Sequence, residues 1–334
     1  MGHLIREVDL ASDAELRALH EVYVRAETQD GRPWTHPMPL EETVQELREP
    51  AMHEWYEGFV ALDGDRVVGV LRVGYFEGAD LDKVWLETYV DPRERRHGIG
   101  TALVERALDR AVEQGRPTVV ADTTYSFEQR DDAPALRFME RLGFTVANVE
   151  VMRTLQVPVA DALLDEMATG AAAHHDGYDL FTYTGVMPEE LQQDWCDLVN
   201  RLAVDAPTGD IAWDVSASTP ESYRDGCARL AQVGRTRLGA LALRDGRVVG
   251  DTHIVVAEGD TEAEQWSTIV APEHRGHRLG AAVKVANLRL LAEVRPDVTR
   301  VVTQNAETNA FMVSINERLG FEVTALCPEF LRRL

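Results

Sequence analysis

The 334-residue chain repeats itself. "ALDGDRVVG" at 61–69 returns as "ALRDGRVVG" at 242–250, "TYVDPRERRHGIGTAL" at 88–103 as "TIVAPEHRGHRLGAAV" at 268–283, and "FMERLGFTV" at 138–146 as "INERLGFEV" at 315–323. The order is the same and the offsets, 181, 180 and 177 positions, are nearly constant. A fold that suits one copy must suit the other, so a duplicated domain is expected. Length agrees, since one core rarely serves so many residues and about two domains follow. The boundaries are placed at 1–156 and 177–334, with 157–176, "VPVADALLDEMATGAAAHHD", as a linking helix with a loose tail.

Each copy mixes strand and helix signals. In the first, "LIREV" reads as a strand, "DAELRALHEVYVRA" as a helix and "TQDGRPWTHPMPLEE" (28–42), with its prolines and glycine, as a loop. "GFVALD" and "RVVGVLRVGYF" flank a Gly-Asp turn and predict a hairpin. A strand at 84–90 precedes a helix in which Ile99, Leu103, Ala107 and Ala111 recur every four residues until Gly115. The strand "TVVADTT", a helix ending at Leu142 and two closing strands complete the copy, and the second repeats the plan from "YDLFTYTG" at 178–185. The class is α+β, a mixed sheet with flanking helices, twice.

Charge narrows the partners. Fifty-seven acidic against 34 basic side chains leave a formal charge of −23, which repels nucleic acid and anionic lipid. No apolar run reaches the ~20 residues of a membrane span, and the start "MGHLIREVDLASD" lacks a signal-peptide pattern. A soluble, cytoplasmic protein is expected, with no membrane or nucleic-acid partner, as a monomer with an internal pseudo-dimer or as a homodimer. Cys196, Cys227 and Cys327 have no ligand spacing and read as buried small hydrophobes. His174 and His175 lack a third ligand nearby, so no metal is expected.

Against that acidic background, "RERRHGIG" and "HRGHRLG" stand out. Each follows a strand and a proline and opens a helix. Unpaired N–H groups of a first helical turn, together with the helix dipole, favour an anion, and glycine lets backbone approach its oxygens. Arg93, Arg95, Arg96 and His97 add charge to the first loop, Arg275, His277 and Arg278 to the second. A plain tight turn with solvated arginines is the alternative. Its recurrence at the same place in both copies weighs against coincidence. Neither GxxxxGK[ST] nor GxGxxG is present.

These loops, Arg, two residues, Gly or Arg, one residue, Gly after a strand ending V-x-P, resemble the acyl-coenzyme A loop of the GNAT superfamily of N-acyltransferases. "NAFMVSINERLGF" at 309–321 is similar to that family's last helix and strand. The likeness covers both copies and resembles the tandem type to which mycothiol synthase belongs. It implies an acetyl-CoA-dependent N-acetyltransferase acting by direct attack of an amine. It implies that Arg95, Arg96, His97, Gly98, Ile99, Gly100 and Thr101, and Arg275, Gly276, His277, Arg278, Leu279, Gly280 and Ala281, hold the diphosphate. Val90 and Val270 would flank the pantetheine arm, with Asn305 and Asn309 as further contacts, and the N–H of Thr88 or Thr268 would face the thioester carbonyl.

An amine of pKa about 10.4 is roughly one part in 2,500 neutral at pH 7, so a proton acceptor helps. The family position four before the oxyanion residue is Glu264 in the second copy and Val84 in the first. Regular alternation would put Glu264, Trp266, Thr268 and Val270 on one face. Glu264 reads equally as part of an exposed acidic turn. His253 is another possible base or a packed residue, and Glu87 has the wrong parity relative to Thr88. Where the family often has a tyrosine, seven after Asp132 or Asn309, this chain has Met139 and Asn316. Asn316 either orients the sulfur or makes a helix contact. The sequence therefore favours the second copy for chemistry and the first as a coenzyme-binding or degenerate copy. Arg278, in place of the loop glycine, either crowds the backbone or reaches a phosphate as a charge-assisted donor, and with ordinary helical φ it is not expected by itself to abolish the site. "WTHPMP" (34–39) and "DAPTGDIAWD" (205–214) are candidate substrate loops, with Asp205, Asp210 and Asp214 available to a cationic small-molecule amine or merely solvated. A non-catalytic acyl-CoA sensor and a protein or peptide N-acetyltransferase are the alternatives.

Overall fold

The computed structural model describes residues 3–29, 37–49, 54–203, 209–214, 217–306 and 309–334. The first repeat runs β1 (Leu4–Glu7), α1 (Asp13–Glu27), α2 (Leu40–Arg48), β2 (Glu54–Asp63), β3 (Arg66–Phe76), β4 (Lys83–Val90), α3 (Ile99–Glu113), β5 (Thr118–Asp122), β6 (Tyr125–Ser126), α4 (Pro134–Arg141) and β7 (Thr145–Gln156). After α5 (Asp161–Ala172) come β8 (Asp179–Thr184), α6 (Glu189–Ala203), α7 (Pro220–Gln232), β9 (Arg235–Arg244), β10 (Arg247–Ala257), β11 (Glu262–Val270), α8 (Leu279–Val294), β12 (Arg300–Ala306), α9 (Ala310–Leu319) and β13 (Glu322–Arg333). Two expectations change. The stretch read as loop to residue 42 already turns helical at Leu40, because Leu47 and Thr43 supply a buried stripe one turn apart. The two closing strands of the first copy are one, β7.

The chain forms two compact units, Met1–Val149 with Thr208–Asp214 and Leu326–Leu334, and Glu150–Pro207 with Val215–Ala325. In the first unit β1, β2, β3 and β4 pair antiparallel in that order, β5 joins β4 in parallel, and the last part of β13 pairs antiparallel with β5. In the second, β8, β9, β10 and β11 pair antiparallel, β12 joins β11 in parallel, and the part of β7 after Val149 pairs antiparallel with β12. Each unit thus takes its closing strand from the other repeat. The mixed sheets flanked by helices are those the sequence implied.

Helix faces follow the apolar spacing. Ile99, Leu103, Val104, Ala107 and Ala111 of α3 pack on Phe59, Leu71, Val73, Val84 and Leu86 on one face of the first sheet. Leu16, Leu19 and Val22 of α1 and Leu47 of α2 cover Val60 and Val70 on the other. Ser12 caps α1 by accepting from the Glu15 N–H at 3.2 Å. In the second unit Val285, Leu288 and Leu291 of α8 lie against Leu238 and Ile254, and α6 and α7 cover Leu241 and Val248. No helix among the described residues is long and apolar enough to cross a membrane.

Phe330, near the chain end, is fully buried in the first unit's core beside α3 residues. Phe330→Ala is expected to lower stability by about 3–5 kcal/mol. Denaturant unfolding of the first unit, followed by Trp55 and Trp85 fluorescence, checks this; a loss under about 1 kcal/mol would mean that β13 contributes little to that core.

Candidate active site

The site begins where two parallel strands separate. β4 and β5 pair only over Lys83 to Leu86, and β11 and β12 only over Glu262 to Gln265. Beyond that point each strand keeps its antiparallel neighbour and loses its parallel one. The Asp91 N–H donates to Val68 O at 3.0 Å and the Ala271 N–H to Val249 O at 2.9 Å. Alternation then turns the main-chain groups of Thr88 and Val90, and of Thr268 and Val270, toward the fork. This half-buried edge has no strand partner beyond the fork.

A helix opens at the mouth of each fork. Its first N–H groups have no partner within the helix, and the chain reaches it through two left-handed residues: Arg96 (φ 70) and Gly98 (φ 84) before α3, Gly276 (φ 85) and Arg278 (φ 55) before α8. The expectation of ordinary helical φ for Arg278 is corrected here: both copies keep both left-handed positions and differ in which one is glycine. A Cβ at Gly98 or Gly276 would meet nothing, so glycine serves the turn itself. At Gly100 a Cβ would come within 3.3 Å of Phe138, at Gly280 within 3.4 Å of Ile315. The loop side chains divide. Arg95 and Arg275 each brace the preceding strand, Nε donating to Val90 O and Val270 O at 3.3 Å, and Arg95 also reaches Gln29. Arg96 is exposed and lines the first fork. His97 Nδ1 stays in its own turn on Glu94 O, 3.2 Å away. In the second copy Arg278 donates to Gly170 O (3.1 Å) and His277 meets His174 O (2.9 Å), both at the end of α5.

The first fork widens into a cleft of about 1070 Å³. Val90, Arg95, Arg96, Gly98, Ile99, Gly100 and Thr101 line one end, Val104, Phe138 and Met139 the floor, and Glu27, Glu87, Tyr89 and Asp122 the far wall. Glu87 and Asp122 sit on the face opposite α3. Glu87 is held by Arg72 at 3.1 Å, a guanidinium that also meets Glu46 and lies 4.7 Å over the Tyr56 ring. Burial raises the Glu87 carboxyl, partly offset by Arg72. Asp122, at the end of β5, was not singled out by the sequence. Its side chain is exposed at the open end of β5. Desolvation by the protein crowding the end of β5, then the negative charges of Glu87, Glu27 and Glu329, raise its pKa, to about 7.

The second fork differs. The β10–β11 register slips between Thr252, which faces Thr268, and Ile254, which faces Gln265. One extra residue in β11 makes a β-bulge, pinned by Gln265 Nε2 donating to His253 O at 2.7 Å and Thr252 Oγ1 at 3.0 Å. The bulge reverses the expected alternation: Gln265 shares the face of Thr268, and Glu264 lies on the opposite one with His253 and Asp251. There Trp266 Nε1 donates to Glu264 Oε2 (3.0 Å) and Arg235 pairs with Oε1 (3.4 Å). His253 is buried against Asp251 (3.1 Å), and burial lowers its imidazole pKa despite that carboxylate. Asn309 caps α9, accepting from the Met312 N–H at 3.3 Å. Asn316 is fully buried; it accepts from Lys284 Nζ at 2.9 Å and donates to Asn305 Oδ1 at 2.7 Å.

Residues 34–36 and Asp205 lie outside the described residues. Of the second candidate substrate loop, Ile211 is buried with Val120 and Leu331 in the first unit. The Asp214 N–H donates to Asp80 Oδ1 (2.8 Å) and the Asp80 N–H to Asp214 Oδ2 (3.2 Å), beside Lys83, whose ammonium sits between Asp80 and Asp82. Cys196, Cys227 and Cys327 are buried and unbridged.

A parallel pair that forks over a cradled helix start, built twice, defines an N-acyltransferase fold in tandem. Residues 16–144 match the model of the acetyltransferase (GNAT) family. The chain is similar throughout to a tandem GNAT protein from the clavulanic acid biosynthesis pathway, 26% identical with 99% of this chain and 98% of that one covered and a TM-score of 0.81. It is 29% identical over 232 residues to a mycothiol acetyltransferase of Sanguibacter keddieii, covering 67% of each, and 26% identical over 342 residues to one of Corynebacterium jeikeium, covering 92% of each. The family match lies in the first repeat, and the whole chain is similar to tandem GNAT acetyltransferases.

Lys284 allows a stability test. It is fully enclosed, 5.4 Å over the Phe321 ring, and burial lowers its ammonium to about 7. Unfolded, it would keep its proton up to about 10.4. Between those values the unfolded chain binds the extra proton, so stability gained through Lys284 rises with pH, by on the order of 4 kcal/mol across the window. Lys284→Met is expected to flatten the rise between pH 7 and 10 and to be the more stable protein at pH 6. Parallel curves for the two proteins would mean that the amine stays charged.

Proposed function

We propose that the protein transfers the acetyl group of acetyl-coenzyme A to a primary amine of a small molecule. The observation that carries this reading is the first cleft, where an unpaired strand edge, a cradled helix start and carboxyls meet in one space. Acetyl-coenzyme A, when bound, supplies an activated acetyl thioester. The residues fit such a carrier: the α3 opening offers unpaired N–H groups and Arg96 to a diphosphate, and the Thr88 and Val90 main chain offers a strand partner to an extended amide-bearing arm. The Thr88 N–H is directed to hold a carbonyl oxygen in the fork. Glu27, Glu87 and Asp122 draw in a cationic amine, and Asp122 takes its proton, since a carboxyl near 7 is matched to that task at neutral pH. The mycothiol acetyltransferases among its relatives support a small-molecule acceptor.

A second reading places the chemistry in the second unit, with Glu264 as base. The bulge favours it by setting Glu264 beside His253 on the face away from α8. Single variants separate the two. On the first reading Asp122→Asn lowers kcat at pH 8 about 100-fold and removes the rise of rate through pH 7 that deprotonation of Asp122 gives wild type. On the second, Glu264→Gln carries that loss instead. Replacing Gly98 and Gly100 by valine should weaken coenzyme A binding to the first unit by tenfold or more in calorimetry. Coenzyme A binding without turnover across a broad amine panel would leave a sensor in place of an enzyme acting on small amines.

A further inference from the structure

The two units supply an internal comparison at the floor of their forks. In the first, Val104 and Met139 form an apolar floor beside Thr123. The second repeat has Lys284, Asn316 and Asn305 at the corresponding positions, and Asn287, also fully buried, in place of Ala107. Three buried polar residues have replaced packing residues, and nothing in the sheet or helices requires it.

Their hydrogen bonds have one direction. A lysine ammonium only donates, so Asn316 must turn its Oδ1 to Lys284, 2.9 Å away. The Asn316 amide nitrogen is then turned to Asn305 Oδ1 at 2.7 Å. Asn305 is left with its own NH2 pointing onward. It stands on β12 two residues past Thr303, the last to pair with β11, and is only half-buried. Each link polarises the next.

We propose that Lys284 is a positioning residue of the second unit: through Asn316 it fixes Asn305 so that two amide hydrogens face the β11–β12 fork and bind a carbonyl oxygen of the acyl carrier's pantetheine–thioester arm. The proposal rests on the reading that the protein uses coenzyme A. Because the chain begins at an ammonium, binding in this fork is proton-linked: it is tightest with Lys284 charged and weakens as the amine loses its proton. Among the described residues no charged or titratable group perturbs Lys284 from α9 or the strands beneath α8; burial shifts it, and Asn316 and the Phe321 ring are among its contacts.

The test uses the full chain with ¹⁵N-labelled asparagine and coenzyme A itself as the probe. The Asn305 side-chain NH2 signals, identified by their loss in Asn305→Ala, should shift on addition of coenzyme A. Lys284→Met should weaken that shift's apparent affinity about tenfold. Lys284→Gln, which still donates but does not titrate, should keep most of the affinity and lose the wild-type dependence on pH between 6 and 8. A merely structural lysine would give the two variants the same affinity and pH profile as wild type, and that result overturns the proposal. Asn305 signals that do not move while coenzyme A saturates the first cleft overturn it too, leaving the proposed function standing. Absence of any coenzyme A binding removes the functional reading itself.

Discussion

The structure depends on a pairing that stops. Two parallel strands share four residue pairs and then diverge, leaving a strand edge whose main-chain groups have no strand partner, with only the Val90 and Val270 carbonyls met by a loop arginine. Elsewhere such an edge would be covered or charged. Here it is kept open, and the helix start is aimed at the same opening. The open strand edge and the unpaired helix N–H groups are two forms of one deficit, and both suit the elongated, amide-bearing, anionic carrier of the proposed function. The acidic composition does not conflict with that: a charge of −23 is a property of the whole surface, whereas the loops concentrate arginine where the backbone is already electropositive.

Closure of each sheet imposes a different constraint. β5 and β12 would be bare edges if the repeats folded from contiguous chain alone. The first unit takes Leu326–Leu334 and the second takes the chain from Glu150. Phe330 then belongs to the first core and Leu155 to the second.

Most of the architecture was legible because its signals are local. The hairpin turns, the four-residue spacing in α3 and the glycine-bounded loops all depend on neighbours in sequence. What escaped depends on pairing. The bulge in β11 is made by Gln265 reaching across to His253 O and Thr252, and no pattern within "EAEQWSTIV" declares it, so alternation assigned Glu264 to the wrong face. Asp122 carried no motif. Its environment comes from Glu87 on β4, Glu27 at the end of α1 and Glu329 on a strand more than 200 residues away in sequence. The burial of Lys284 was likewise invisible in "LGAAVKVANLRLLAEV", which carries other polar residues; only the first copy, with Val104 in its place, shows that the fold does not need it.

The two helix mouths show what duplication has kept. Left-handed backbone costs a non-glycine residue roughly 1–2 kcal/mol, and each copy bears that cost once, at Arg96 in the first and Arg278 in the second. Random drift would have relaxed at least one of these strained positions by changing the turn. Instead the glycine and the arginine have changed places around an unaltered backbone, "RHG" against "GHR". The conformation, and with it the direction of the helix N–H groups, has therefore been retained independently of the residues that adopt it. The arginines meanwhile turn to different tasks: Arg96 stays at the cleft, while Arg278 satisfies a carbonyl of α5. Around a common backbone the side chains diverge, one fork lined by carboxyls and an apolar floor, the other backed by a chain of amides ending at a buried amine.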